Sequence, residues 1–128
     1  RFLEIMAEAL ELKISDFENP ELNGDNPVNI TAQCSVFAES EVITYVNEGA
    51  KISDIVSGIN KSIASKISTF VGRLGIIEDI TIIGGIGKNS VVVKNLEEII
   101  KTEVKPLKED LQIIPALGAA MLAEKKHS

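Results

Sequence analysis

The stretch 79–89 is the only part of the chain in which a strand pattern runs directly into a glycine turn and then a helix start. Residues 80–83 form a short, continuous apolar run, which is typical of a parallel strand covered on both faces. Gly84 and Gly85 follow, and because neither has a Cβ the backbone can turn sharply and come close to a ligand. A helix is predicted to begin near Asn89, with its unpaired N–H groups facing the same crevice. We therefore expect the rest of the chain to support this strand, turn and helix.

The composition indicates one globular domain over residues 1–128. A chain of 128 residues with 45% hydrophobic residues can bury one core, and it is too short for two comfortable domains. The formal charge is −6 and no basic stripe alternates with aromatic residues, so nucleic acid is not an expected partner. No apolar run approaches the roughly 20 residues of a membrane span, and no signal-peptide pattern is present. We expect a cytoplasmic protein without a membrane partner.

Cys34 is the single cysteine, so the chain can form no internal disulfide and supplies no second thiol for a metal site. A helix is predicted just after it, with Val36, Val42, Ile43 and Val46 on one face, and it ends at Gly49. The N–H groups at such a helix start stabilise a thiolate or an anionic cluster. The residue type alone favours the alternative, a small buried side chain.

Other helices are predicted on both sides of this one. The first runs from the chain start to about Lys13, and a long loop without periodicity follows over 15–29. The strongest helix has Ser53 as its N-cap and keeps an i, i+3, i+4 apolar pattern until Gly75. Its opposite face is polar, and a solvated surface is the default interpretation of that face. The helix that begins near Asn89 ends near Lys101, and a last helix covers 116–123.

These patterns give about five helices but only two or three short strands, the second over 103–105. Because a two-stranded sheet rarely stands alone, the strand at 80–83 implies partners upstream in a longer chain or from another copy. The chain also opens at Arg1 inside a helical pattern, without a Met or a capping residue. We expect a fragment of a longer protein.

Four local patterns occur in an order that is typical of one family. They are Arg1-Phe2-Leu3-Glu4-Ile5-Met6-Ala7, Cys34-Ser35-Val36-Phe37-Ala38-Glu39-Ser40-Glu41-Val42-Ile43, Gly84-Gly85-Ile86-Gly87-Lys88-Asn89 and Ala116-Leu117-Gly118-Ala119-Ala120. Together they closely resemble the ATP-dependent activators of 2-hydroxyacyl-CoA dehydratases and the related ATPase subunits of benzoyl-CoA reductase, in the acetate and sugar kinase, Hsp70 and actin superfamily. The Cys34 pattern is specific to that group, whereas many superfamily members have a version of the Gly84 pattern.

The resemblance implies an α/β fold, namely the helix-rich C-terminal part of an RNase H-like, actin- or Hsp70-type ATPase domain with few short strands. It implies ATP or ADP with Mg as ligand, and a homodimer that holds one [4Fe–4S] cluster with two cysteines from each subunit. ATP turnover would drive a low-potential electron to an acyl-CoA dehydratase or reductase component. The N-terminal lobe and a second family cysteine would lie upstream of Arg1.

Residue by residue, the resemblance implies one metal ligand and two walls of a nucleotide cleft. Cys34 matches a family cysteine and would be a thiolate ligand of the cluster. The cofactor-binding residues are Gly84, Gly85 and Asn89 on the adenosine side and, as weaker candidates, Lys61, Ser65 and Lys66 on the opposite wall. No catalytic residue is expected within this chain. The alternatives are a cluster-free small-molecule kinase or ATP-gated binding protein of the same superfamily, and a plain structural domain.

Overall fold

The computed structural model describes residues 1–127, which form five α-helices joined by loops and short 3-10 turns. The helices are α1 (Phe2–Ala9), α2 (Ser35–Asn47), α3 (Ile52–Leu74), α4 (Ser90–Ile100) and α5 (Ile114–His127), and the 3-10 turns span Ile14–Glu18, Pro20–Leu22 and Gly85–Lys88. The helix-rich architecture with few extended residues agrees with the expected fold class.

The long helix α3 is the structural centre, because its apolar residues contribute to two separate packing clusters. Its N-terminal half supplies Ile55, Val56 and Ile59 to a cluster built with α1, α2 and the loop that follows α1. Its second half supplies Ala64 to a cluster with Val92 and Leu96 of α4. Ile63 packs against both clusters, so α3 joins them into one body.

The strand predicted over 80–83 is wrong in extent. Within the described residues, it is reduced to one parallel bridge between Ile80 and Val104, which is also all that remains of the strand predicted over 103–105. The Lys105 N–H donates to the Ile80 carbonyl at 2.8 Å, and the Thr81 hydroxyl donates to the Lys105 carbonyl at 2.8 Å. A two-stranded sheet is marginal by itself, and among the described residues these two segments have only each other as short partners, so the ladder stops at a single bridge.

The predicted helix ends at Gly49, Gly75 and Lys101 are correct, whereas the end of the first helix and the N-cap of the third are wrong. Gly49 and Gly75 both have φ of +79° at the ends of α2 and α3, as expected of glycine. The first helix stops at Ala9 and not near Lys13, because Glu11 takes φ of +56° and closes a Schellman motif. Ser53 is not the N-cap of α3; Lys51 is, so the helix begins two residues earlier than expected.

Two surfaces differ from the sequence-based prediction. On α2 the buried residues are Ala38 and Val42, whereas the apolar side chains of Val36, Ile43 and Val46 are exposed. The loop over 15–29 contains two 3-10 turns and places Phe17 fully in the core. Because isolated apolar side chains in short turns carry no periodicity, the sequence pattern missed Phe17.

The last helix, α5, is longer than predicted and lies at the periphery. None of its described residues is buried, and Leu117, Met121 and Leu122 are exposed. Within residues 1–127, no helix combines the length and the apolar character that crossing a membrane requires.

Helix α3 lies against the 27–30 segment at Gly58, and this contact gives a stability prediction. A Cβ at Gly58 would lie 2.3 Å from the Val28 carbonyl oxygen and 2.8 Å from Val28 Cγ2. We expect Gly58→Ala to lower the free energy of unfolding by about 1 to 3 kcal/mol, because the backbone of the segment must move. Urea unfolding followed by circular dichroism measures the change.

Gly72→Ala on the same helix is the matched control. A Cβ there meets no atom within 4 Å, so the variant gains helix propensity without a clash and is expected to be stabilised by about 0.5 to 1 kcal/mol. Equal gains at the two positions would contradict the close approach at Gly58.

Candidate functional site

The glycine turn before α4 has a conformation that only glycine adopts readily. Gly84 has φ of +88° and ψ of 175°, and its N–H donates to the Leu111 carbonyl at 2.7 Å. A Cβ at Gly84 would meet no atom within 4 Å, whereas one at Gly85 would lie 3.3 Å from Nε2 of Gln112. The turn is therefore packed at Gly85 and open at Gly84, where another molecule could approach the backbone.

Lys88 fastens this turn to the segment that leads into α5. Its ammonium lies 2.9 Å from Oδ1 of Asp110 and donates to Oε1 of Gln112 at 2.7 Å. The Gln112 N–H also donates to Asp110, and this hydrogen bond together with Lys88 holds the pKa of Asp110 below its ordinary value. Because the Lys88 ammonium binds both Asp110 and Gln112, it holds the turn against the segment that leads into α5.

Asn89 is the N-cap of α4, as the predicted helix start near Asn89 requires. Its side-chain oxygen accepts from the N–H groups of Val91 and Val92 at 3.1 and 3.0 Å. Its Nδ2 donates to Oδ1 of Asn60 at 3.1 Å, and the residue is 1% exposed. Contact between Asn89 and a nucleotide stays a prediction; the contacts in the structure position the turn.

Asn60 of α3 connects this turn to the loop after α1. It is fully buried, and its Nδ2 donates to the Phe17 carbonyl and to Oδ1 of Asn23, both at 2.8 Å. Its oxygen accepts from Asn89, so both halves of the amide are paired. The polar-face interpretation missed this residue, although its position one residue after Ile59 and three before Ile63 was a signal that it borders the apolar stripe.

Lys61 and Ser65 line a cleft of about 330 Å³ between α3 and the segment 27–30. The cleft wall combines an ammonium, hydroxyl groups and the backbone of the segment with a few apolar groups. Such a surface can bind an anionic or polar ligand. The residues that line this cleft do not include Gly84, Gly85 or Asn89, so a nucleotide cleft formed by the two predicted walls stays a prediction.

Lys66 is not part of that cleft wall. Its ammonium lies 4.2 Å from the centroid of the Phe2 ring, in a cation–π contact with α1. Burial lowers the pKa of Lys66, and the nearby Glu41 carboxylate partly offsets this effect, with a smaller contribution from Cys34. The three polar residues predicted for one nucleotide wall therefore separate into Lys61 with Ser65 on one side and Lys66 near Cys34 on the other.

Cys34 is the N-cap of α2 and is exposed, so the alternative of a buried cysteine is wrong. Its carbonyl accepts from the Ala38 N–H at 2.9 Å, while its side chain makes no capping hydrogen bond. The thiol is thus accessible at the positive end of a 13-residue helix.

Glu41 of α2 binds the segment that leads into Cys34. Its carboxylate accepts from the Thr31 N–H at 2.8 Å, from the Ala32 N–H at 3.2 Å and from the Thr31 hydroxyl. Burial acts to raise the pKa of Glu41, but these hydrogen bonds outweigh it, with a further contribution from Lys66, and the pKa lies below its ordinary value. The carboxylate is therefore held in its charged form.

Cys34 has the properties of one of the thiolate ligands of an iron–sulfur cluster. Cys34 offers an accessible sulfur at a helix N-terminus, which suits a thiolate ligand. In the part of the chain that the structure describes, no group of three or more His, Cys, Asp and Glu side chains could hold a metal ion. A cluster at Cys34 would thus need its remaining thiolates from outside residues 1–127.

Comparison with known proteins gives a consistent set of relatives. The sequence model of the BadF/BadG/BcrA/BcrD ATPase family matches residues 1–123. The 2-hydroxyisocaproyl-CoA dehydratase activator of Clostridioides difficile is 41% identical over 131 residues, which cover 100% of this chain and 48% of the relative. The (R)-2-hydroxyglutaryl-CoA dehydratase activating ATPase of Acidaminococcus fermentans is 41% identical over 128 residues, which cover 98% of this chain and 48% of that protein.

A solved structure agrees with these relatives. The activator of the 2-hydroxyisocaproyl-CoA dehydratase from Clostridium difficile with bound ADPNP superposes with a TM-score of 0.88 at 40% identity, covering 98% of this chain and 47% of that one. The fold described above is therefore that of about half of that activator. The chain likewise spans about half the length of the curated relatives it matches.

The buried amides at the site give a second stability prediction. Asn60→Ala would leave the Asn23 oxygen and the Asn89 amide without their partner, and the Phe17 carbonyl would keep only the longer, 3.3 Å hydrogen bond from Nδ2 of Asn23. We expect a loss of about 2 to 4 kcal/mol in the free energy of unfolding, because unpaired buried polar groups add to the cavity. Asn47→Ala, at the exposed end of α2, is the control and should change it by less than about 0.5 kcal/mol. Similar small effects of both variants in urea unfolding would show that the amide hydrogen bonds are dispensable.

Proposed function

We propose, because the chain belongs to the BadF/BadG/BcrA/BcrD ATPase family, that it is the C-terminal part of an ATP-hydrolysing iron–sulfur activator. The activator would deliver a low-potential electron to a 2-hydroxyacyl-CoA dehydratase or a benzoyl-CoA reductase type enzyme. The observation that carries the proposal is the exposed Cys34 thiol at the N-terminus of α2. The likeness to two dehydratase activators supports it.

Cys34 is the proposed cluster ligand. When bound, a [4Fe–4S] cluster supplies one-electron transfer at low potential. In the proposed homodimer each subunit contributes two thiolates, and Cys34 is one of them. The unpaired N–H groups of the first turn of α2 favour the anionic thiolate. Val36 and Phe37, which are 64% and 69% exposed in that turn, would be covered by the partner subunit.

The nucleotide is proposed to bind with Mg between two surfaces. One is the turn before α4 and the other is on α3. Gly84 and Gly85 let the turn before α4 approach the nucleotide through its backbone, with Asn89 holding the turn. Lys61 and Ser65 contribute their cleft on α3 as the opposite wall. Lys66 is proposed to lie outside that wall, on the side of α3 that faces Cys34, because its ammonium contacts Phe2. No residue of the chain is proposed as the base for ATP hydrolysis.

The proposed location is the cytoplasm. A single, exposed free cysteine persists as a thiol in a reducing compartment, which an iron–sulfur ligand also requires. The proposed partner is the acyl-CoA dehydratase or reductase component that receives the electron.

Anaerobic purification of the full-length protein tests the cluster assignment. We expect a 4Fe–4S absorption band and, after reduction, an electron paramagnetic resonance signal; Cys34→Ala should lose both, because a thiolate ligand is removed. Ser40→Ala, on an exposed position of α2, is the control and should keep both.

An undiminished cluster signal in Cys34→Ala would exclude Cys34 as a ligand. Phosphoryl transfer to a small molecule without any iron would instead favour the cluster-free kinase.

A further inference from the structure

We propose that Glu41 is a positioning residue that holds the segment 31–34 against α2 and so fixes the place of the Cys34 thiol. This inference rests on the proposed function only where the thiol is taken as a cluster ligand. The hydrogen bonds that define Glu41 belong to the chain itself.

The geometry at Glu41 is that of a clasp on two consecutive residues. One carboxylate oxygen accepts from the N–H groups of Thr31 and Ala32, at 2.8 and 3.2 Å, and the other accepts from the Thr31 hydroxyl. Both carboxylate oxygens thus accept hydrogen bonds from the same short segment. A charged acceptor with several donors makes stronger hydrogen bonds than a neutral one, which suits a fixed position.

The clasp matters for Cys34 because the segment has no regular structure of its own. Residues 31–34 lie in neither a helix nor a strand, so neighbouring backbone does not hold them. On the helix side, the Cys34 carbonyl accepts from the Ala38 N–H. On the other side, Ala32 packs against the main core cluster, and its N–H donates to Glu41. Without Glu41, the N–H groups of Thr31 and Ala32 would lose their acceptor, and packing of Ala32 would be the remaining contact on that side.

Helix α2 carries both the Cys34 thiol, at its N-cap, and the Glu41 carboxylate, and so fixes the distance between them along the helix. Cys34 is the N-cap of α2 and Glu41 lies about two turns further along it, so the chain before Cys34 folds back along the helix. A second tie, from the Tyr45 hydroxyl to the Asn29 carbonyl at 3.0 Å, continues this arrangement one turn later. Glu41 is thus the tie nearest to the thiol.

The test measures backbone protection and thiol reactivity in the full-length protein purified without iron. Glu41→Ala should raise amide exchange of the peptide that contains Thr31 and Ala32 by roughly tenfold, because both N–H groups lose their acceptor. Alkylation of Cys34, read by mass spectrometry on its own peptide, should change by at least about threefold as the thiol leaves its fixed position. Glu41→Gln, which keeps one acceptor oxygen, should give intermediate values and provides the test if Glu41→Ala fails to fold.

Glu39→Gln, two residues away on the same helix, is the matched control and should leave both rates unchanged. Unchanged exchange at Thr31 and Ala32 in the Glu41 variants would overturn the clasp. Faster exchange with an unchanged alkylation rate would limit Glu41 to a structural tie and overturn its positioning role. Because both readouts are made without iron, they separate this inference from the cluster assignment, which fails only if Cys34→Ala keeps the cluster.

Discussion

The hydrogen bonds of Asn60 are the constraint on which the rest of the structure depends. This buried amide joins α3 to the Phe17 carbonyl and Asn23 on one side and to Asn89 on the other. A buried amide is costly unless its donors and its acceptor are all paired. Only one rotation of α3 about its axis brings Asn60 to all of its partners, so that rotation is fixed. That rotation determines which side chains of α3 face the 27–30 segment and which face α1.

The same rotation separates two surfaces of α3 that the sequence placed together. Lys61 and Ser65 face the cleft beside residues 27–30, and Lys66 faces Phe2, close to Glu41 and Cys34. The segment 27–34 connects the two surfaces, because its first residues line the cleft and its last residue is the exposed cysteine. The cleft and the thiol are therefore joined by one short piece of backbone, which Glu41 holds by hydrogen bonds.

The sequence predicts those parts of the fold that follow from local patterns. The apolar repeat of α3, the helix ends at Gly49 and Gly75, and the N-cap at Asn89 need no tertiary information. The resemblance carried by the Cys34 pattern is confirmed by the family match over residues 1–123.

What the sequence missed depends on long-range contacts. The strand at 80–83 shrinks to one bridge because strand length is set by its partners, which local pattern does not reveal. Asn60 and Glu41 were not recognised, since a polar residue on a polar helix face gives no sign of a partner 43 or 10 residues away in sequence. The exposure of Cys34 was likewise a matter of packing, because the residue type alone favours burial.

The affinity of the full-length protein for Mg-ADP tests whether the two surfaces of α3 have separate roles. Isothermal titration calorimetry on Lys61→Ala and Lys66→Ala compares two lysines five residues apart on one helix. We expect Lys61→Ala to weaken binding by about tenfold or more, because a charge-assisted contact to the nucleotide is lost, and Lys66→Ala to leave the affinity nearly unchanged. Equal weakening by both variants, or weakening by Lys66→Ala alone, would contradict this expectation.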